Sequence, residues 1–119
     1  MLDVSIGRHE YHPATTRLSY FFKQGPSQAP LLVFLHGAGE KGQNPDKLQQ
    51  RTVAQSSYAE HYHLLLPSCP AQVASWPTER LHACIQSVAQ EFDNPPIILA
   101  GISMGGRGVY ELLYEYADF

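Results

Sequence analysis

Two cysteines, a single tryptophan and no cluster of basic residues are the scarcities of this chain, and each removes a class of protein. Cys69 and Cys84 form neither a C-x-x-C pair nor a disulfide framework, which reads as two reduced thiols, with one bridge between them left open at this point. The six histidines are not spaced with acids or cysteines as a ligand set, so no metal and no cofactor is expected. Eight Lys and Arg stand against eleven Asp and Glu, for a net charge of −3. Without a basic patch there is no electrostatic footprint for nucleic acid or an anionic membrane surface. No apolar run approaches the roughly 20 residues of a membrane span. Met1-Leu2-Asp3-Val4-Ser5 carries an early acid and no apolar leader core, so a cytoplasmic location is expected.

What is present is a globular composition: 119 residues, 44% apolar, with no repeat, low-complexity tract or boundary, hence one domain over 1–119. Residues 2–6 and 15–22 alternate, Leu18, Tyr20 and Phe22 against Arg17 and Ser19, which predicts two half-buried strands joined through His12-Pro13 as an antiparallel edge hairpin. Leu31–Leu35, Tyr62–Leu66 and Ile97–Ala100 are apolar without alternation, the pattern of strands buried on both faces. Each is separated from the next by enough residues for a helix. Asn44-Pro45 supplies a cap and a first-turn proline, but 46–58 has poor apolar periodicity and predicts a short or irregular helix. After a Thr78 cap, Leu81, Cys84, Ile85, Val88 and Phe92 share one helical face, stopped by Asn94-Pro95-Pro96; Val109, Leu112, Leu113 and Tyr116 repeat the spacing. Strands alternating with helices imply an α/β fold with a mostly parallel sheet and helices on both faces.

The chemistry gathers at two strand ends. Gly101-Ile102-Ser103-Met104-Gly105 is a G-x-S-x-G pattern between an apolar strand and an amphipathic helix, the setting of a nucleophile elbow. Ser103 is the candidate nucleophile. His36-Gly37-Ala38-Gly39-Glu40 follows the first buried strand at the same sheet edge, where open α/β sheets bind ligands. Acyl transfer needs two N–H donors where the oxyanion forms, and Ala38 and Met104 stand at the positions that supply them. His36 is read as shaping its loop, not as a base. His61 and His63 fall at the start of a strand, away from the chemistry, and are expected to be solvated.

Taken in order, Leu35-His36-Gly37-Ala38-Gly39-Glu40-Lys41-Gly42, Leu66-Pro67-Ser68-Cys69-Pro70 with Trp76, Ala100-Gly101-Ile102-Ser103-Met104-Gly105-Gly106-Arg107-Gly108, and Tyr116-Ala117-Asp118-Phe119 resemble the phospholipase/carboxylesterase branch of the α/β-hydrolase superfamily. They are similar also to the esterases and peptidases related to dienelactone hydrolases. The resemblance implies the N-terminal half of an α/β-hydrolase fold, with the elbow strand at an open sheet edge. It implies Ser103 as nucleophile, Ala38 and Met104 as oxyanion donors, and Gly37, Gly39 and Trp76 with the 67–77 loop around a small-molecule ester. Lys41, Ser68 and Ala117 depart from arginine, glutamine and proline common in the family, none at a reacting group.

In that family the acid and the histidine follow the nucleophile, and only sixteen residues follow Ser103. The expectation is an ester hydrolase acting through an acyl-enzyme, truncated, split or fused elsewhere, and weak or inactive by itself. The alternative is a non-catalytic remnant or binding module that keeps the pocket without the triad. An open edge strand further predicts self-association or a complementing C-terminal half.

Overall fold

The computed structural model describes residues 8–10, 17–50 and 52–117. Five strands form one mixed sheet: β1 (Arg8–Glu10), β2 (Tyr20–Lys23), β3 (Leu31–Leu35), β4 (His63–Pro67) and β5 (Ile97–Gly101). Their spatial order is β1-β2-β4-β3-β5, with β1 and β2 antiparallel to their neighbours and β4, β3 and β5 mutually parallel. The elbow strand therefore lies at one edge of the sheet, as the sequence implies. The predicted hairpin is present, but the partner of β2 is Arg8–Glu10; residues 2–6, expected to form it, lie outside the described residues.

Helices cover both faces. On one, α3 (Thr78–Glu91) and α4 (Met104–Glu115) bring Leu81, Ile85, Val88, Ala89 and Leu112 against Tyr20, Phe22, Leu31, Val33, Leu35 and Leu65. On the other, α1 (Pro45–Leu48), α2 (Thr52–Gln55) and a 3₁₀ turn at Ser57–His61 bring Leu48 and Ala59 against Phe21, Leu64 and Leu66. The short pieces match the weak periodicity of 46–58. Asn44 accepts the Asp46 N–H at 2.9 Å, so the cap read from Asn44-Pro45 forms even though the helix behind it is one turn long.

Several expectations are corrected. β2 is not half-buried: Tyr20, Phe21 and Phe22 are all buried, because β2 lies inside the sheet between β1 and β4 with a helical layer on each side. β5 is not doubly buried, since Ile98 is 40% exposed and Ile97 and Leu99 only partly covered, the consequence of its edge position. Thr78 does not cap α3; Pro77 holds that position, and the Thr78 hydroxyl donates to Glu115 Oε2 at 2.6 Å, tying α3 to α4. In α4 the buried stripe is Gly105, Gly108 and Leu112, while Leu113 is exposed.

His63 is the other correction. It is buried, with its ring tilted against Phe92 at 4.5 Å and stacked at 6.3 Å from Phe22, and its Nδ1 accepts the Gly25 N–H at 2.9 Å. The apolar run that makes β4 central carries its first residue under the end of α3. Burial holds the imidazole below its ordinary pKa of 6.5, so the folded state prefers it neutral. Stability is then full above about pH 6.5 and falls as pH drops through that value toward the folded pKa, because the unfolded chain binds the proton first. Urea titrations between pH 7.5 and 5 are expected to show this loss, by up to one proton's linkage. His63→Asn, whose amide oxygen can accept the Gly25 N–H, is expected to remove that component.

Candidate active site

Parallel pairing of β3 with β5 in the register Leu35↔Gly101 brings the two glycine-rich segments together, since both continue from adjacent strand ends. Ser103 has φ 54° and ψ −116°, a left-handed conformation that costs a residue with a Cβ about 1–3 kcal/mol. Its neighbours hold it there: Ile102 N–H donates to the Leu35 carbonyl at 3.2 Å, Gly105 N–H to Ile102 at 2.8 Å, and Arg107 N–H to Ser103 at 3.2 Å. The flanking glycines are required by space. A side chain on Gly101 would strike the Gly105 backbone, and one on Gly105 would strike the Leu35 carbonyl.

Gly37 lies against the elbow, so close that a Cβ there would sit 3.7 Å from Ser103 Cβ. Ala38 opens the 3₁₀ turn Ala38–Glu40 and Met104 opens α4. As first residues of their helices, neither has an intrahelical acceptor for its N–H. Two backbone donors and the serine thus share one sheet end. Gly39 is exposed with open space around it, and Ser103 itself is exposed. Among the described residues the Ser103 hydroxyl has no hydrogen-bond partner.

His36 organises the loop. Its Nδ1 is 2.7 Å from the Gly37 carbonyl, which can only accept, so Nδ1 carries the proton. Nε2 then accepts the Cys69 N–H at 3.0 Å. Both ring nitrogens are engaged and the residue is buried, which leaves no basic lone pair for Ser103. Gly42 N–H donates to Cys69 O at 2.8 Å, the Ser68 hydroxyl to Gln43 O at 2.8 Å, and Lys41 Nζ to Val73 O at 2.9 Å. Sequence reasoning missed these ties. Lys41 and Ser68 had appeared only as departures from a family pattern, and a bond from a side chain to a distant carbonyl leaves no sequence signature.

Trp76, expected around the substrate, is 3% exposed. Its indole N–H donates to the His36 carbonyl at 3.3 Å and its ring packs 4.8 Å from the His36 ring. Cys69 is fully buried, and burial pushes its thiol up to about 11 despite the nearby charges of Lys41 and Arg80, which makes it a poor nucleophile. Both cysteines are free. Among the described residues no group of three or more His, Cys, Asp and Glu is placed to hold a metal, and no helix is long and apolar enough to cross a membrane.

No protein-family model matches this chain, and no curated protein does. Among solved structures it is similar to a thermostable esterase, with a TM-score of 0.63 and 26% identity over 94% of this chain and 38% of that one. It is similar also to a thioesterase domain from the curacin biosynthetic pathway, with a TM-score of 0.53 and 22% identity over 91% of this chain and 40% of that one. Both are α/β-hydrolases, and this chain has a portion of the α/β-hydrolase fold. It spans about two-fifths of the length of these solved structures.

The packing of α4 on β3 yields a direct test. Gly105→Ala places a methyl group on the Leu35 carbonyl with backbone on both sides, so relief requires the helix to move. Overpacking of this kind costs about 1–3 kcal/mol and more where nothing can yield. Denaturant unfolding is expected to show a loss of about 3 kcal/mol or more, whereas Gly39→Ala, in open space, is expected to stay within about 0.5 kcal/mol of the parent.

Proposed function

We propose that this chain carries the nucleophile and oxyanion donors of a serine carboxylic-ester hydrolase working through an acyl-enzyme. The observation that carries the reading is Ser103, held in a costly left-handed conformation beside two helix-opening N–H groups. Strain of that kind persists where surrounding structure enforces it, and it clusters at reactive sites. Ser103 Oγ attacks the ester carbonyl; the carbonyl oxygen becomes an oxyanion facing Ala38 N–H and Met104 N–H; the alcohol departs; and water hydrolyses the acyl-serine. A donor of this type is worth about 2.7–4 kcal/mol in the transition state. Gly37 and Gly39 keep that space free of side chains.

The attack also needs a base that takes the serine proton and returns it to the leaving alkoxide. Among the described residues no histidine side chain is hydrogen-bonded to Ser103: His36 is fully engaged, and His61 and His63 sit at the far end of the sheet. The chain by itself is therefore proposed to turn over weakly. The reading places the base outside the described residues, and Ile98, Ile102, Tyr110, Leu113 and Tyr114, all exposed around β5 and α4, offer a surface for a complementing C-terminal half. Two free thiols fit a reducing, cytoplasmic setting.

A fluorophosphonate probe is expected to label the chain slowly, forming a bond from Ser103 oxygen to phosphorus as fluoride leaves, with Ser103→Ala unlabelled by intact mass. Mixing in a family-like C-terminal half is expected to raise both labelling and p-nitrophenyl acetate hydrolysis by orders of magnitude, because base and nucleophile act as a unit. Association of the halves with no hydrolysis above the Ser103→Ala control would favour the binding-module reading instead.

A further inference from the structure

We infer that Trp76 is a positioning residue that sets the spacing between the two oxyanion donors, an inference that rests on the Ser103 reading given above. Three contacts of one side chain carry it. The indole N–H donates to the carbonyl of His36, the residue immediately before Gly37 and Ala38, at 3.3 Å. The indole faces the His36 ring at 4.8 Å, and that ring is itself fixed at both nitrogens. The pyrrole edge of the indole lies on α4, where a Cβ on Gly108 would stand 2.7 Å from Trp76 Cδ1 and 3.0 Å from Cγ. Gly108 is one helical turn from Met104. The indole therefore spans from the backbone that presents Ala38 to the helix that presents Met104.

The placement separates this role from substrate contact. Trp76 is 3% exposed, so a bound acyl chain meets almost none of its surface. Its influence runs through backbone position. In a preorganised site a displacement of about 1 Å can cost about a hundredfold in rate, and losing the N–H bond releases the His36 carbonyl on one side only. Trp76→Phe keeps a ring on His36 and beneath Gly108 but removes the donor.

The experiment compares wild type, Trp76→Phe and Ser103→Ala with an ethyl and a decyl fluorophosphonate, at a temperature where thermal melts show each protein fully folded. The expected result is labelling slowed about ten- to a hundredfold in Trp76→Phe by the same factor for both probes, with amide resonances of Gly37, Ala38 and Met104 shifted. Equal rates, or slowing confined to the decyl probe, overturn the inference while leaving the Ser103 reading intact. Wild type unlabelled above Ser103→Ala overturns the Ser103 reading itself, and this inference with it. Should Trp76→Phe not fold, the unsubstituted chain decides, because Trp76 is its only tryptophan. Its single indole N–H resonance is expected to resist hydrogen exchange and to move when Ser103 is phosphonylated. An indole N–H that exchanges freely, or that ignores phosphonylation, overturns the strut.

Discussion

The structure depends on one close approach, the seating of the first turn of α4 on the Leu35–His36 backbone. Gly105 rests on the Leu35 carbonyl with no room for a methyl group, and Gly101 leaves the same clearance on the strand side. That contact forces the turn between them to be tight, and the tightness puts Ser103 in the left-handed region. Any side chain at Gly105 would lift the helix, relax the turn and move Met104 away from Ala38. The strain at Ser103 is thus the local expression of a packing constraint set by β3, a strand whose first residue lies more than seventy positions earlier.

The second half of the site is fixed by polar bonds. The 36–43 segment has few apolar contacts of its own, and a glycine-rich loop of this kind would sample many conformations at an entropic cost of about 1–2 kcal/mol per residue on ordering. His36 at both nitrogens, Gly42 N–H, Lys41 and Ser68 tie it to the 67–76 segment. Several of these groups are buried, where an unmade bond costs more than a made one contributes, so the ties favour one loop geometry over its alternatives. The neutral Nδ1–H form of His36 belongs to that geometry. Its engagement is also the reason it cannot serve as the base for Ser103.

The layers differ in completeness. β2, β4 and β3 have helical cover on both faces, while β5 keeps one lateral edge without a partner among the described residues and shows Ile98 to solvent. Ile102, Tyr110, Leu113 and Tyr114 are exposed nearby, on the turn and the helix that carry the candidate nucleophile. Site and surface are consequently linked: whatever covers this turn also approaches Ser103.

Much was legible in the sequence where the signal is local. Unbroken apolar runs marked β3, β4 and β5; Asn44-Pro45 marked a cap; and G-x-S-x-G after a strand marked the elbow, because the glycine spacing reflects steric demands within five residues. Sequence failed where the deciding neighbour is distant. Nothing local tells that Phe21 clusters with Leu48 and Ala59, that His63 is roofed by Phe92, that Leu113 is left half exposed, or that Trp76 reaches across forty residues to the His36 carbonyl. Burial and hydrogen-bond partners are properties of pairs brought together by topology, and an isolated side chain carries only its capacity for them. The sequence by itself marked Ser103 with Met104 beside it and the glycine-rich loop after β3; the tertiary structure decided that this loop lies against the Ser103 turn, because only the register of β3 on β5 makes two segments more than sixty residues apart into neighbours.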